Sequence, residues 1–253
     1  MNTIILNHEK IYTGNLLLVN ADYPLHSFSE NNLIPAESGY PTVLLHRDAA
    51  NMLQLVLEKI SAGHEIVPVS GYRSAEEQTA IYTESLRDNG MEYTKKFVAV
   101  PYHSEHQTGL AIDLGLNQEN IDFICPNFPY DGICSKFRKE ASHYGFIERY
   151  PEGKENITGI AHEPWHFRYV GYPHSEVIEE QGFTLEEYIN YLKNIPYDGE
   201  HLIISDGGRD MEVFYLPANQ ANTTISLPED AVYQVSGNNI DGFIITLWRR
   251  NHD

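Results

Sequence analysis

Apolar and polar positions along this chain fall into helical and strand-like periods separated by glycine- and proline-marked breaks. Ala49, Met52, Leu53, Val56, Leu57 and Ile60 recur at helical spacing and form one apolar stripe, which predicts an amphipathic core helix. Ser74 followed by Glu77 has the form of a capping box and opens a second helix, expected to run to about residue 89 and to stop at Gly90. Residues 135–144 suit a helix stopped by Gly145, and 175–182 and 184–194 two short helices, the last with Tyr188 and Leu192 on its inner face. Runs at 16–20, 66–69, 110–116 and 165–170 read as strands, and 146–150 with 157–162 as a hairpin around 151–154. Residues 91–103 and 117–132 lack sustained periodicity and are expected as loops capping a site, while 33–45 fits no element. Beyond Ile195 the texture becomes short strand-like runs at 201–205, 211–216, 231–235 and 242–248, separated by turn residues. The expected class is α+β, with helices packed around a central, mainly antiparallel sheet and a small β-rich C-terminal addition. The expected division is 1–194 for the main domain and 195–253 for the extension.

The chemistry concentrates in two stretches. Residues 104–113 contain His106 and Asp113 seven positions apart, and 163–166 adds Glu163 and His166. A catalytic zinc takes three protein ligands of nitrogen or oxygen type and keeps one open position, which His106, Asp113 and His166 supply. A carboxylate outside the ligand set must take a proton from the attacking water and return it to the leaving amine, and Glu163 stands where that base is wanted. If 110–116 is a strand, Ala111 and Asp113 share one face while Leu110, Ile112 and Leu114 occupy the buried other. Residues 162–166 also match H-E-x-x-H, a helical zinc signature, but Pro164 would cost that helix about 3 kcal/mol or more. His162 is therefore a neighbouring or structural residue, and a turn or bulge is expected at Pro164 to bring Glu163 and His166 to one side. Arg73 projects beside a helix N-terminus, a setting that favours anions.

The pattern S-x-H-x-x-G-x-A-x-D, the later E-x-W-H and the upstream Ser70-Gly71-Tyr72-Arg73-Ser74 resemble the zinc D,D-peptidases of the VanX/VanY family, closest in length and layout to the bifunctional VanXY type. The resemblance covers roughly residues 15–193 and says little about the rest. It implies that the central sheet carries Zn²⁺, that Arg73 polarises the scissile carbonyl and stabilises the tetrahedral intermediate, and that Gln78 and Ser104 help hold the substrate's terminal carboxylate. The bland readings beside these are a surface salt bridge for Arg73 and a solvated helical glutamine for Gln78. Trp165 serves either as a wall of the substrate pocket or as core packing. The implied substrates are D-Ala-D-Ala and muramyl-pentapeptide precursors ending in it, whose destruction removes the terminus that glycopeptide antibiotics bind. The D,D stereochemistry comes from the resemblance alone. Three other readings stay open: an L,D-carboxypeptidase of cell-wall tetrapeptides, a non-catalytic zinc domain of Hedgehog-like fold, and an Fe(II) oxygenase using two histidines and a carboxylate.

Composition narrows the partners. A chain of 253 residues can bury a sizeable core, and 36 acidic against 17 basic side chains give a net charge of −19, which disfavours nucleic acid and anionic membrane surfaces. Residues 1–11 lack a basic segment followed by a long apolar run, and no later stretch spans a membrane, so the expected compartment is the cytoplasm. In that compartment Cys125 and Cys134 are expected as free thiols. His103 is expected as a solvated loop histidine, and nothing in a single chain sets an oligomeric state.

Overall fold

Twelve strands and six α-helices are distributed over two compact units of a computed structural model that describes residues 1–26 and 32–249. In chain order the strands are β1 (Asn2–Asn7), β2 (Leu33–Pro35), β3 (Leu44–His46), β4 (Ile66–Ser70), β5 (Ala111–Leu116), β6 (Phe146–Glu148), β7 (His166–Tyr169), β8 (Leu202–Asp206), β9 (Arg209–Pro217), β10 (Asn222–Leu227), β11 (Val232–Gly237) and β12 (Gly242–Trp248). The helices are α1 (Arg47–Lys59), α2 (Ala75–Phe97), α3 (Gly132–Ala141), α4 (Glu155–Thr158), α5 (His174–Gln181) and α6 (Leu185–Leu192). No helix among the described residues is long and apolar enough to cross a membrane.

The unit spanning Val19–Leu185 is built on the sheet β4-β5-β7-β6, antiparallel throughout, with the β2-β3 ribbon beside it. The stripe of α1 packs Ala49, Leu53 and Val56 into a core shared with Phe137 of α3, Ile112 and Leu114 of β5, and Phe167 of β7. Phe128, Phe137 and Phe167 meet edge to face with ring centroids 4.9–5.8 Å apart, a geometry that fits the ring quadrupoles. The capping box forms: Ser74 Oγ accepts from the Glu77 N–H at 3.1 Å, and Glu77 Oε2 from the Ser74 N–H at 2.7 Å.

Several expected elements differ. Gly90 (φ 80°) breaks α2 as predicted, yet helix resumes to Phe97, where an irregular loop was expected from residue 91. The break is spanned by a buried Ser85–Thr94 hydroxyl pair at 2.8 Å, and Thr94 Oγ1 also donates to the Gly90 carbonyl at 2.9 Å. The hairpin of 146–150 with 157–162 does not form. The short helix α4 ends at Gly159 in the left-handed region, and β6 pairs with β7 instead. Residues 16–20 are not a strand: the Leu18 N–H bonds to the Asn238 carbonyl and the Leu16 N–H to Ser236 Oγ, so no ladder is made. The unplaced 33–45 stretch contributes β2 and the start of β3. Cys125 is half-buried and Cys134 buried, both free, and His103 is half-buried with Nδ1 2.6 Å from the Asn20 carbonyl rather than solvated.

The other unit joins Met1–Leu18 to Glu186–Asp253. The sheet β11-β12-β9-β8 is antiparallel throughout, and a second ribbon pairs β1 with β10, Ile4 opposite Ile225. The units thus part differently from the expected 1–194 and 195–253. The first strand finds its partner more than 200 residues later, a pairing that no local pattern announces.

Candidate active site

Asp113 lies mid-strand in β5, with Ser70 of β4 opposite on one side and His166 of β7 on the other. Period two turns Ala111 and Asp113 to the site face and sends Ile112 and Leu114 into the core cluster. His106 comes from a 3₁₀ turn, Glu105–Thr108, closed by Gly109 in the left-handed region (φ 67°), a conformation glycine adopts without strain. The turn expected at Pro164 is present, with the His166 N–H bonded to the Glu163 carbonyl at 3.2 Å, and it brings both side chains to the same cleft.

His106, Asp113 and His166 are buried and offer ligand atoms within 4.8 Å of one another. His106 Nε2 is 3.1 Å from Asp113 Oδ2, and His166 Nδ1 is 2.9 Å from Asp113 Oδ1. The other nitrogen of His106, Nδ1, lies 2.7 Å from the Gly71 carbonyl. A carbonyl only accepts, so Nδ1 carries the proton and Nε2 is left with a lone pair for a metal. Burial and the Arg73 guanidinium push the His106 imidazole down to about 4, which keeps it in the neutral, ligating form. Burial would lower His166 as well, but Asp113, Glu105 and Glu163 around it outweigh burial and raise it to about 9. That concentration of carboxylates is what draws a dication, and two imidazoles with one carboxylate fit zinc. Burial raises the Asp113 carboxyl, yet His106 and His166 overcome it and hold Asp113 far below the usual carboxylate range.

Glu163 is 5% exposed and its Oε2 lies 3.8 Å from His166 Nδ1. Burial, reinforced by Asp113 and Glu105, pushes its carboxyl up to about 8 against the pull of His166 and Arg73. Arg73 is held by Ser70 Oγ at 2.8 Å on Nε and by Asp113 Oδ2 at 2.9 Å on Nη2, with its guanidinium carbon 5.5 Å from the centre of the Phe123 ring. Instead of a surface salt bridge it makes a half-buried one inside the cleft, with the Asp113 side buried.

Arg73, Gln78, Ser104, Glu163 and Trp165 all line one cleft with the three ligands. Trp165 does both things left open for it, lining the cleft and packing into the core cluster. Gln78 is fully buried rather than solvated. Its Nε2 donates one hydrogen to the Ala99 carbonyl at 2.7 Å, and its Oε1 has no hydrogen-bond partner. His162 stays outside the ligand cluster, with Nε2 2.7 Å from the Tyr130 hydroxyl.

Four further residues, Tyr150, Glu105, Arg149 and Arg168, stand around this site without being a fixed position of either motif. Tyr150 lines the cleft with its ring centre 4.9 Å from that of His166. Glu105, next to His106, is buried against Arg149 and Arg168, each 2.8 Å from its Oε1. An arginine in an apolar strand such as Phe167-Arg168-Tyr169 was the available signal, because a charge there is buried only if it is paired.

A family model described as VanY, D-alanyl-D-alanine carboxypeptidase, matches residues 42–172. The chain is 46% identical over 179 residues to the bifunctional D-Ala-D-Ala dipeptidase and D-Ala-D-Ala carboxypeptidase VanXYC of Enterococcus gallinarum, covering 70% of this chain and 94% of that protein. It is 37% identical over 258 residues to a D-alanyl-D-alanine carboxypeptidase of Enterococcus faecium, covering 96% of this chain and 78% of that one. The crystal structure of the vancomycin resistance D,D-dipeptidase VanXYg in complex with a D-Ala-D-Ala phosphinate analog matches with a TM-score of 0.96 at 59% identity, covering 98% of this chain and 99% of that one.

Proposed function

The chain belongs to the VanY family of D-alanyl-D-alanine carboxypeptidases, and from that premise we propose that it hydrolyses the D-Ala-D-Ala dipeptide and removes the terminal D-Ala from muramyl-pentapeptide precursors. By destroying the terminus that glycopeptide antibiotics bind, it contributes to vancomycin resistance. The observation that carries this reading is the convergence of the His106, Asp113 and His166 donors with Glu163 and Arg73 in one cleft, in a chain 59% identical to a D,D-dipeptidase that holds a D-Ala-D-Ala phosphinate analog. A non-catalytic zinc domain has no need of a buried carboxylate and a half-buried guanidinium beside its metal ligands.

His106 Nε2, an Asp113 carboxylate oxygen and His166 Nδ1 would hold the metal. Bound zinc supplies Lewis acidity, which acidifies the attacking water and polarises the scissile carbonyl. Glu163 accepts the proton as the water oxygen bonds to the carbonyl carbon. It returns that proton to the amide nitrogen as the C–N bond breaks, and the D-amino acid leaves as a neutral amine. Glu163 is buried in the wall of the cleft, so the proton it takes is shielded from bulk solvent until it is returned. Arg73 fixes a positive charge where the carbonyl oxygen becomes negative, and the bonds to Ser70 and Asp113 orient it before substrate arrives. Ser104 and the remaining N–H of Gln78 hold the substrate carboxylate, and Trp165 walls the pocket.

The test is hydrolysis of D-Ala-D-Ala and of a pentapeptide ending in it by the zinc-loaded protein, with Glu163→Gln as control and a tetrapeptide with an L,D bond alongside. Both D,D substrates are cleaved, and Glu163→Gln loses about 10²- to 10⁴-fold in turnover while retaining zinc. Cleavage of the L,D substrate alone overturns the D,D assignment.

A further inference from the structure

Glu105 uses only half of its carboxylate on the arginines that bury it. Its Oε1 accepts a hydrogen bond from Arg149 Nε at 2.8 Å and lies 2.8 Å from Arg168 Nη1 in an ion pair, and all three side chains have no exposed surface. The other oxygen, Oε2, is buried with no hydrogen-bond partner, and so is Nε2 of His166. These two atoms face each other 3.7 Å apart. An unpartnered buried carboxylate oxygen is costly, and a closure of under about 1 Å would turn the pair into a normal charge-assisted hydrogen bond.

The two ends of the His166 ring therefore have different surroundings. Nδ1 points at Asp113 and the ligand cluster, and Nε2 points away from it, at Glu105. An imidazole offers a lone pair at Nδ1 only when its single proton sits on Nε2, and a carboxylate facing Nε2 selects that tautomer. The backbone reinforces the arrangement. The Arg149 N–H bonds to the His166 carbonyl at 3.1 Å, and Arg168 follows His166 by two residues in β7, so both arginines that pin Glu105 are tied to the strand that carries the ligand.

We propose that Glu105 is a positioning residue for the metal site: with Arg149 and Arg168 fixing one oxygen, its other oxygen accepts the Nε2–H of His166 and directs the Nδ1 lone pair of that ring to zinc. The inference rests on zinc at this site and is independent of the substrate. Glu105→Gln reverses the sense of the contact. The Arg149 donor and the Arg168 cation keep the amide oxygen on their side, so the amide NH₂ faces His166 Nε2 and favours the Nδ1–H tautomer, which cannot ligate.

The full-length, zinc-loaded protein labelled with ¹⁵N-histidine tests this by long-range ¹H–¹⁵N correlation, with zinc affinity measured by chelator competition. In the wild type, His166 carries its proton on Nε2, and that proton exchanges slowly. In Glu105→Gln zinc affinity falls about 10- to 100-fold, the usual cost of losing a residue that orients a metal ligand. A His166 proton on Nδ1, or one on Nε2 in fast exchange with water, overturns the proposal. So does a folded Glu105→Gln protein that binds zinc within twofold of wild type. If Glu105→Gln does not fold, the wild-type tautomer decides alone. Failure of the wild type to take up zinc stoichiometrically would remove the premise itself, and no outcome depends on which peptide is cleaved.

Discussion

Replacing Arg138 by methionine removes a guanidinium that fastens the Pro164 turn, and with it Glu163, to the loop that precedes α3. Its Nε donates to Glu148 Oε2 at 2.9 Å, Nη1 to the Pro129 carbonyl at 2.7 Å, and Nη2 to the Phe128 carbonyl at 2.9 Å and also to the Pro164 carbonyl. The guanidinium carbon lies 4.0 Å from the centre of the Tyr130 ring and 4.8 Å from that of Phe128. Each hydrogen bond to a charged donor contributes about 1.5–3 kcal/mol, but adding all four would overstate the loss, because the bonds share one cation. Removing one partner of a buried ion pair costs about 3–5 kcal/mol. The Arg138 and Glu148 side chains are 13% and 16% exposed, so water recovers part of that, and about 3 kcal/mol is expected for Arg138→Met. Arg138→Lys keeps a charge for Glu148 but loses the planar fork that reaches the Phe128, Pro129 and Pro164 carbonyls together, and should fall in between at about 1–2 kcal/mol. A displacement of about 1 Å at Glu163 would also lower turnover on the order of 10²-fold. Urea unfolding read from Trp165 fluorescence in a Trp248→Phe background reports the unit that holds the site, and D-Ala release reports turnover. Stability of Arg138→Met within about 1 kcal/mol of the parent, with unchanged turnover, would refute the reasoning.

Gly71→Ala places a Cβ 2.2 Å from the Leu44 carbonyl oxygen, a backbone atom that cannot move aside, and shifts the carbonyl that orients His106. It should cost at least about 1–3 kcal/mol and weaken zinc binding together, and a melting curve and a zinc titration both unchanged would contradict this. The raised Glu163 carboxyl gives the metal-free protein a pH signature. Between the ordinary 4.5 and about 8 the folded chain keeps a proton that the unfolded chain has lost, so the contribution of this group to stability is full below 4.5 and declines as pH rises through that window. Glu163→Gln lacks that decline, so metal-free Glu163→Gln should gain on the metal-free wild type between pH 5 and 8, by a few kcal/mol at most. An unchanged difference in urea midpoint at the two pH values would show that burial does not strain this carboxylate.

The sequence by itself determined the chemistry of the site and much of its local frame. His106, Asp113 and His166 are the residue types zinc takes, and in-strand alternation put Asp113 opposite a buried apolar face. Pro164 forbade the helical reading of H-E-x-x-H in favour of the turn that is found, and Ser74 with Glu77 fixed the start of α2. These are features of a few neighbouring residues, so short-range sterics and hydrogen bonding suffice to decide them. Tertiary structure decided what depends on distant partners. A strand's own pattern says which face is buried but not which strand lies beside it, so β6 took β7 instead of forming the expected hairpin, and β1 took β10. Arg138 and Arg149 read locally as ordinary polar positions, and Arg168 in its apolar strand calls for a buried partner without naming one. Their meaning came from the carbonyls and the Glu105 and Glu148 carboxylates that the fold brings within hydrogen-bonding distance, since a cation can be buried only where its counter-charge is buried with it.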